Sequence, residues 1–519
     1  MRIYLKGLMC AMFIMCASGI SDKAYAQDVR LAAASESRDV TAVQALLGDG
    51  ADVNGAQPDG ATALHWAAHW NDLPMVEALI AAASNVDAAN DYGVTPLSLA
   101  ATNGSAPVLD ALLRAGASAD AALLTGETAL MTAVRSGSLA AVRRLLEGGA
   151  DPNARQASKG QTALMWAATA QQLEIAQLLI DNGGEAAAAA ESGFTALMFA
   201  AREGGIELAE LLLESGADIN AAGSDGNTAL LVATVRGHAH LAIVLLERGA
   251  EADGAMDAAG YSPLHWATSR SESQISFGDV TSEVAVTGEW GAMSGIPDRD
   301  AKLDLVRALI DHGANLEASV VRPPQSGAIF SGSAMMRDAT PYFVAAMAGD
   351  AEIMRLLQGL GADPFVLASN GSTALIGAIR GGNAFTARAV TEQNRIDAVA
   401  SALEAGHDLE AQDENGYRAM HVAAEGEFQQ LIRFLLENGA ELNPVTQART
   451  QKEGSGFVVI AGQSPLGIVE GTMTGGTYNE RPETAAFLRE LGAESIGRAT
   501  LQTYLDSFEE GEPDAPDVP

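Results

Sequence analysis

Hydrophobic residues along most of the chain recur three and four positions apart, in short runs separated by glycine-containing turns. Residues 139–146 (LAAVRRLL) show this spacing, which predicts an amphipathic helix. Gly149 follows and is the residue type that ends helices in the left-handed conformation. Other runs, such as residues 62–67 (TALHWA), begin with threonine, whose hydroxyl caps a helix N-terminus. The pattern therefore predicts short helices in pairs, with a turn after each pair.

These turns recur with a fixed period. A glycine, a small residue and usually an acidic or amide residue form each turn, and the middle residue lies at 51, 84, 117, 150, 184, 217, 250, 314, 362, 407, 440 and 493. The first six steps are 33, 33, 33, 34, 33 and 33 residues, which is the signature of an internal repeat. Twelve units cover roughly residues 28–497.

The helix starts keep the same phase as the turns. Variants of the motif T-P-L-H-x-A lie at residues 62–67, 95–100, 162–167, 195–200 and 262–267. With the 33-residue period, they make the chain resemble the ankyrin-repeat family. The resemblance implies an all-α solenoid of about twelve helix-turn-helix units, whose connecting β-turns or hairpins form fingers. It also implies a structural role for His65, His265 and His421, which occupy the motif's histidine position and would hydrogen-bond the neighbouring connector.

Residues 1–26 have the pattern of a cleaved export signal: a short basic start, an apolar run over residues 7–20, and Ala24-Tyr25-Ala26. We expect cleavage after Ala26 and a periplasmic or secreted protein. An uncleaved anchor, or lipid attachment at Cys10 or Cys16, are the alternatives. Because both cysteines lie in this segment, the cleaved chain would have no thiol for a disulfide or a metal.

The period also predicts the division of the chain. Regular repeats 1–7 and the first helix of repeat 8 occupy residues 27–270, and insertion-bearing repeats 8–12 occupy 301–497. A capping helix and an acidic tail occupy 498–519. Insertions are expected at 271–300, 322–338, 381–395 and 445–480. They either thicken the C-terminal repeats or recognise a ligand, since loops this long in a compact repeat are often functional.

Charge and motif content narrow the function. The chain has 31 Lys and Arg against 66 Asp and Glu, a net charge of −35. Nucleic-acid binding is excluded because phosphate contacts need clustered cations. Zinc-hydrolase, nucleophile-elbow and nucleotide-binding motifs are absent from the sequence. We therefore expect a non-catalytic protein without a cofactor or metal, monomeric by itself and not inserted in a membrane after cleavage.

The remaining signal is aromatic, in a chain with 5% Phe, Trp and Tyr. One set of rings occupies the position after the motif histidine, with Trp70 one helical turn beyond Trp66, and a second set lies near the turn glycine that precedes the motif. The combined set is Trp66, Trp70, Tyr92, Trp166, Phe194, Phe199, Tyr261, Trp266 and Tyr417. These rings either fill the core between alanines or line a concave groove that binds a partner protein with a basic surface.

Two other functions stay open at this point. The protein is either an interaction scaffold in the cell envelope or a secreted effector or immunity-type protein, which the sequence does not separate. An enzyme would need a polar cluster built by the insertions. Its candidate residues are Asp279, Glu283, Asp298 and Asp338.

Overall fold

The structure is a computed structural model that describes residues 28–224, 226–253, 260–269, 296, 298–321, 337–381, 390–446, 462–474 and 477–496. The predicted export signal and the C-terminal capping helix lie outside these residues. Two compact units divide the chain, residues 1–151 and residues 152–519. Among the described residues, none of the helices combines the length and the apolar character needed to cross a bilayer.

The N-terminal unit, as far as it is described from residue 28 on, contains four helix pairs. They are α1 (Arg30–Glu36) with α2 (Val40–Gly48), α3 (Ala63–His69) with α4 (Leu73–Ala81), α5 (Pro96–Thr102) with α6 (Ala106–Arg114), and α7 (Ala129–Ser136) with α8 (Leu139–Glu147). The first helices α1, α3, α5 and α7 pack side by side in chain order, and the second helices α4, α6 and α8 form a layer behind them.

The C-terminal unit continues the pattern with eight described pairs. They are α9 (Ala163–Thr169) with α10 (Leu173–Asp181), α11 (Ala196–Glu203) with α12 (Ile206–Glu214), α13 (Ala229–Val235) with α14 (Ala239–Glu247), α15 (Pro263–Thr268) with α16 (Arg299–Asp311), α17 (Pro341–Met347) with α18 (Ala351–Gly359), α19 (Ala374–Arg380) with α20 (Glu392–Glu404), α21 (Ala419–Glu425) with α22 (Gln429–Glu437), and α23 (Pro465–Val469) with α24 (Pro482–Glu490). The twelve pairs of the two units confirm the predicted helix-turn-helix repeat.

Local sequence determines where these helices begin and how paired helices are joined. The Thr128 hydroxyl accepts a hydrogen bond from the Met131 N–H at 3.3 Å, which caps α7. Asp39 caps the second helix α2 by accepting from the Ala42 N–H at 2.9 Å. The residue between paired helices often has a positive φ, and glycine fills that position at Gly104 and Gly137.

Neighbouring connectors are joined by a ladder of hydrogen bonds from side chains to backbone. In the N-terminal unit, Asn54 Oδ1 accepts from the Asn85 N–H at 2.7 Å. The acceptor is the fourth residue after the turn glycine, or, for Asp87, after Ala83 at the equivalent position. Equivalent rungs join Asp87 to Ser118, Asp120 to Asp151, Asn153 to Glu185, Asn220 to Glu251, Asp253 to Asn315, Glu317 to Asp363, Glu410 to Glu441, and Asn443 to Glu494. The spacing of these residues is regular in the sequence, but the sequence analysis did not assign them a role.

A second ladder joins the tips of the predicted fingers and uses backbone atoms alone. The Asp91 N–H donates to the Asp59 carbonyl at 2.9 Å, and the Glu191 N–H donates to the Lys159 carbonyl at the same distance. Single β-bridges close three of the fingers, between Ala56 and Thr62, Ala122 and Thr128, and Ala189 and Thr195. The expected β-turn or hairpin connections are therefore present.

The insertions lie at the places that the repeat period predicts. The observed helix bounds change the predicted ends of two of them. α16 begins at Arg299 and α20 at Glu392, so residues 299–300 and 392–395 belong to helices and not to insertions. Residues 270–295, 322–336, 382–389 and 447–461 lie outside the described residues. Within the last insertion, Thr472–Thr474 and Thr477–Asn479 form an antiparallel pair of strands, β1 and β2, where the sequence predicted only a short connection.

The ladder of rungs is interrupted at Ala187, which occupies an acceptor position before Asp218 but has no side-chain acceptor. We predict that Ala187→Asn stabilises the protein by about 1 kcal/mol, because the new amide oxygen would accept from the Asp218 N–H. Urea unfolding measures this change. The reverse substitution, Asn220→Ala, should remove a rung that exists and destabilise by a similar amount. Equal urea midpoints for Ala187→Asn and the parent chain would show that the new side chain does not form the predicted hydrogen bond.

Leu197 is buried in α11 and tests whether the repeats unfold as modules. We predict that Leu197→Asp, which buries a charge without a partner, costs at least about 3 kcal/mol and splits the thermal transition in two. Calorimetry and hydrogen exchange measure the split. Ala170→Asp, at an exposed position of the same unit, is the control and should leave one transition. Complete and simultaneous unfolding of Leu197→Asp would contradict modular behaviour.

Candidate functional site

The three histidines of the motif join adjacent repeats, as the resemblance implied. His65 Nδ1 accepts from the Thr62 N–H at 3.1 Å, so the proton lies on Nε2, which donates to the Val94 carbonyl at 2.9 Å. The same pair of contacts recurs for His265, with the Ser262 N–H and the Ala339 carbonyl, and for His421, with the Arg418 N–H and the Pro444 carbonyl. These side chains are structural and are not available to a ligand.

Burial keeps these rings neutral. Desolvation lowers the pKa of His65, and it lowers the pKa values of His265 and His421 to about 4. The neutral ring is the form that both hydrogen bonds require, since Nδ1 must accept while Nε2 donates. Protonation of Nδ1 would replace an acceptor with a second donor and break the capping contact.

This burial predicts a loss of stability in mild acid. Between pH 6.5 and about 4, an unfolded chain protonates His265 and His421 while the folded chain does not. The unfolded state then binds more protons, so the free energy of unfolding decreases as the pH falls through this window. Each of the two histidines should contribute about 1.4 kcal/mol per pH unit at full effect. Urea unfolding from pH 7 to 5 measures the slope.

His265→Gln and His421→Gln should each flatten that slope, while His240→Gln, at an exposed position, should leave it unchanged. A parent slope that both variants retain would show that other groups cause the acid sensitivity.

Trp66, His69 and Trp70 lie together at the C-terminal end of α3 in the N-terminal unit, and we name them the Trp66–Trp70 cluster. The two indoles are stacked, with centroids 6.4 Å apart and planes inclined by 24°. His69 contacts Trp66 at 5.8 Å and Trp70 at 4.7 Å, both edge to face. Trp66 and His69 are half-buried and Trp70 is 38% exposed. The cluster presents aromatic surface to solvent.

Hydrogen bonds to the preceding repeat hold both indoles in place. Trp66 Nε1 donates to Gln57 Oε1 at 2.9 Å, and Gln57 Nε2 donates to Glu36 Oε2 at 2.7 Å. Trp70 Nε1 donates to the Glu36 carbonyl at 3.1 Å. Because the polar edge of each ring is bonded within the protein, its apolar face is preorganised for contact. Desolvation also lowers the pKa of His69, which favours the neutral form of its ring.

Tyr92 lies on a fingertip of the same unit and is 52% exposed. Its carbonyl accepts from the Leu124 N–H at 3.4 Å, and the Leu124 side chain on this next tip is 75% exposed. Sequence reasoning found Tyr92 but missed Leu124, because it considered aromatic residues alone. The two tips together present a second apolar surface.

In the C-terminal unit, the two tryptophans of the predicted set are half-buried. Trp166 Nε1 donates to Gln161 Oε1 at 3.1 Å, which repeats the anchoring seen at Trp66. Trp266 packs against Tyr261 with the ring centroids 5.5 Å apart. Each indole is therefore held within its own repeat and keeps part of its surface in solvent.

Tyr417 is part of a finger that a buried ion pair supports. The Arg380 guanidinium lies 5.2 Å from the Tyr417 ring centroid and 3.2 Å from Asp413. Asp413 is fully buried, and its Oδ1 accepts from the Tyr417 N–H at 3.0 Å. Tyr417 is half-buried and also packs on His421 at 5.7 Å. Its main contacts stabilise the finger.

Three predicted contact residues need correction. Phe194 is 2% exposed, Phe199 is 3% exposed and Tyr261 is 8% exposed. Phe194 packs edge to face on Phe199 at 5.4 Å, with the Arg202 guanidinium 5.3 Å from the Phe199 centroid. A ring with so little exposed surface cannot contact a partner unless it first unpacks, so these three belong to the core. Partner contact at the other six positions remains a prediction.

The acidic residues proposed for an insertion-built active site do not form a cluster in the described part of the chain. Asp298 is exposed, and its Oδ1 accepts from the Asp300 and Ala301 N–H groups at the start of α16. Asp338 is exposed in a turn. Asp279 and Glu283 lie outside the described residues. Across the described ranges, no group of three or more His, Cys, Asp or Glu side chains is arranged to hold a metal ion.

A charged cavity of about 580 Å³ lies in the C-terminal unit beside the N-termini of α16, α18 and α20. Burial alone would raise the pKa of Asp350, but Arg299 and Lys302 hold it below its usual value. Arg299 bonds Asp350 at 2.5 Å and Glu352 at 2.7 Å. Arg299 and Lys302 are already paired with carboxylates. We therefore interpret the charged residues around this cavity as an ion-pair network that joins adjacent repeats.

Comparison with known proteins agrees with the repeat pattern. The family model for ankyrin repeats matches three segments, residues 31–122, 130–223 and 342–446. No curated protein matches the chain. Among solved structures, the chain is similar to the ankyrin repeat domain of Bcl-3, described as a unique member of the IkappaB protein family. The two are 32% identical, the alignment covers 40% of this chain and 93% of the Bcl-3 domain, and the TM-score is 0.37.

Proposed function

The chain belongs to the ankyrin-repeat family, and on that premise we propose that it is a non-catalytic scaffold in the cell envelope that binds a partner protein through exposed aromatic residues. Ankyrin repeats are general modules for protein–protein interaction, and this fold is typically a non-catalytic scaffold. The observation that carries the finer proposal is the Trp66–Trp70 cluster, which keeps an exposed indole in a fixed orientation.

The cluster has the properties of an interface hot spot. Tryptophan is enriched among residues whose truncation costs the most binding energy. Its large, rigid side chain loses little conformational entropy on binding, and the anchored N–H groups reduce that loss further. Trp166 and Trp266, with part of each ring in solvent, are secondary candidates in the C-terminal unit.

Charge supports a partner with a basic surface. Residues 28–151 contain 15 Asp and Glu and 6 Arg, a balance of −9 in the N-terminal unit alone. Such a field speeds the approach of a positively charged partner and weakens as salt is added. We place this encounter outside the cytoplasm, because residues 1–26 have the pattern of an export signal.

The binding surface is tested by replacing both indoles of the cluster. We predict that Trp66→Ala/Trp70→Ala reduces capture of the partner from an envelope extract at least tenfold, since truncation of a central aromatic costs about 2 kcal/mol or more. Pull-down with quantitative mass spectrometry measures capture, and circular dichroism verifies the fold. Ile496→Ala, which truncates a side chain that is 37% exposed in the last repeat, is the control. Unchanged capture by the folded double variant would exclude the cluster.

A further inference from the structure

An arginine from the preceding repeat lies over the exposed face of the Trp66–Trp70 cluster. The Arg38 guanidinium carbon is 5.6 Å from the Trp70 ring centroid. Arg38 is itself exposed, and no carboxylate of the described residues lies within 4 Å of its guanidinium nitrogens. Within the described part of the chain, Arg38 is therefore a cation without a carboxylate partner, and it lies on the most exposed ring of the cluster.

The other arginines that contact rings have internal partners or lie on buried rings. Arg202 over Phe199 pairs with Glu203 at 2.8 Å. Arg380 over Tyr417 pairs with buried Asp413. Arg395 lies over Phe428 and donates a hydrogen bond to the Ile379 carbonyl. Arg433 lies over Phe487, whose ring is buried. Among these contacts in the described chain, Arg38 on Trp70 is distinguished by having both the cation and the ring exposed.

Acids close to Arg38 in the sequence or the fold make their hydrogen bonds to other groups, and none forms an ion pair with Arg38 among the described residues. Glu36 accepts from Gln57, and Asp39 caps α2 by accepting from the Ala42 N–H. Asp72 caps α4 by accepting from the Met75 N–H at 3.1 Å. These carboxylates keep their charge, so Arg38 is an exposed cation beside the exposed indole in a unit whose net charge is negative.

The backbone of Arg38 has the left-handed conformation of the turn between paired helices. Its φ is +58°, at the position where Gly104 and Gly137 occur in later repeats. A non-glycine residue in this conformation costs roughly 1 kcal/mol or more, and Gln171 and Glu427 adopt it at the same position of other repeats. Asn71, at the same position of the next repeat and directly after Trp70, has a φ of +55°. Both strained turns flank the cluster.

We infer that Arg38 and Trp70 form a receptor for one carboxylate of the partner protein, on an aspartate or glutamate side chain that is next to an apolar residue. The guanidinium would donate two parallel N–H···O bonds to the carboxylate, and the part of the Trp70 ring that is exposed beside Arg38 would contact the apolar neighbour. Val40, two residues after Arg38, is 48% exposed and extends the apolar surface of this turn. This inference rests on the proposed protein-binding function.

A carboxylate anchor is compatible with a partner whose overall surface is basic. The net field acts over about 10 Å and governs encounter, whereas the anchor acts at hydrogen-bond distance. Arg38 can form an ion pair only with a carboxylate of the partner, that is, with an aspartate or glutamate side chain. The acids around it would repel the partner's carboxylates from any other alignment, so the pair would determine the register of the complex.

The experiment uses peptides selected for binding to the full chain. A phage-displayed library of random 12-residue peptides is selected on the wild-type protein, and peptides that lose binding to Trp70→Ala are synthesised. Each is then remade with its Asp or Glu replaced by Asn or Gln. Isothermal titration measures both forms against wild type, Arg38→Gln and Arg38→Gly. Arg143→Gln, which removes an exposed arginine from α8 of the same unit, is the control.

We expect the amide form to bind wild type at least about tenfold more weakly than the acid form, as for a charge-assisted hydrogen bond. That difference should fall below twofold in Arg38→Gln and Arg38→Gly and persist in Arg143→Gln. Arg38→Gly relieves the backbone at this turn, so it should fold at least as well as wild type.

The possible outcomes separate the two proposals. Peptides that depend on Trp70 but bind equally in acid and amide forms, or that carry only basic residues, would overturn the carboxylate receptor and leave the binding surface intact. An acid preference that Arg38→Gly retains would also overturn it. Recovery of no peptide that depends on Trp70 would contradict the proposed function together with the receptor.

Discussion

One helix pair of this protein cannot bury its own apolar face, and stacking against the next pair is the constraint on which the structure depends. Leu64, Ala67 and Ala68 of α3 are fully buried only because neighbouring first helices pack on both sides. The small alanines let these helices approach closely. Residues that keep the repeats in register, among them the motif histidines and the rung side chains, all bond from one repeat to the backbone of the next.

Much of the fold could be predicted because this constraint repeats every 33 residues. A residue that must serve every interface, such as His65, His265 or His421, leaves a periodic trace in the sequence. The number of helix pairs and the position of the insertions follow from the same period. The short hairpin of β1 and β2 could not be predicted, since it lies in an insertion where the chain contacts no equivalent neighbour.

The candidate site was predicted only in part, because equal positions in the repeat do not have equal surroundings. Trp66 and Phe199 share one position of the motif. Phe199 is covered by Phe194 and Arg202, whereas Trp66 stacks on Trp70 and keeps part of its surface in solvent. Burial is therefore decided by neighbours in adjacent repeats, which the position alone does not specify. Arg38 left no such signal, since Asn71, Gln171 and Glu427 also stand where other repeats have glycine between paired helices.

The ladder at the fingertips has a consequence for how such a protein changes over time. Its bonds join backbone atoms, as between Asp91 and Asp59 or between Leu124 and Tyr92, so the side chains at the tips carry no share of that bonding. Substitutions there leave the ladder's bonds in place. A tyrosine at one tip, a leucine at the next and a lysine at a third are thus interchangeable as far as this ladder is concerned. Side chains at the fingertips can therefore change during evolution, and with them the partner that is recognised, while the hydrogen bonds between repeats are kept.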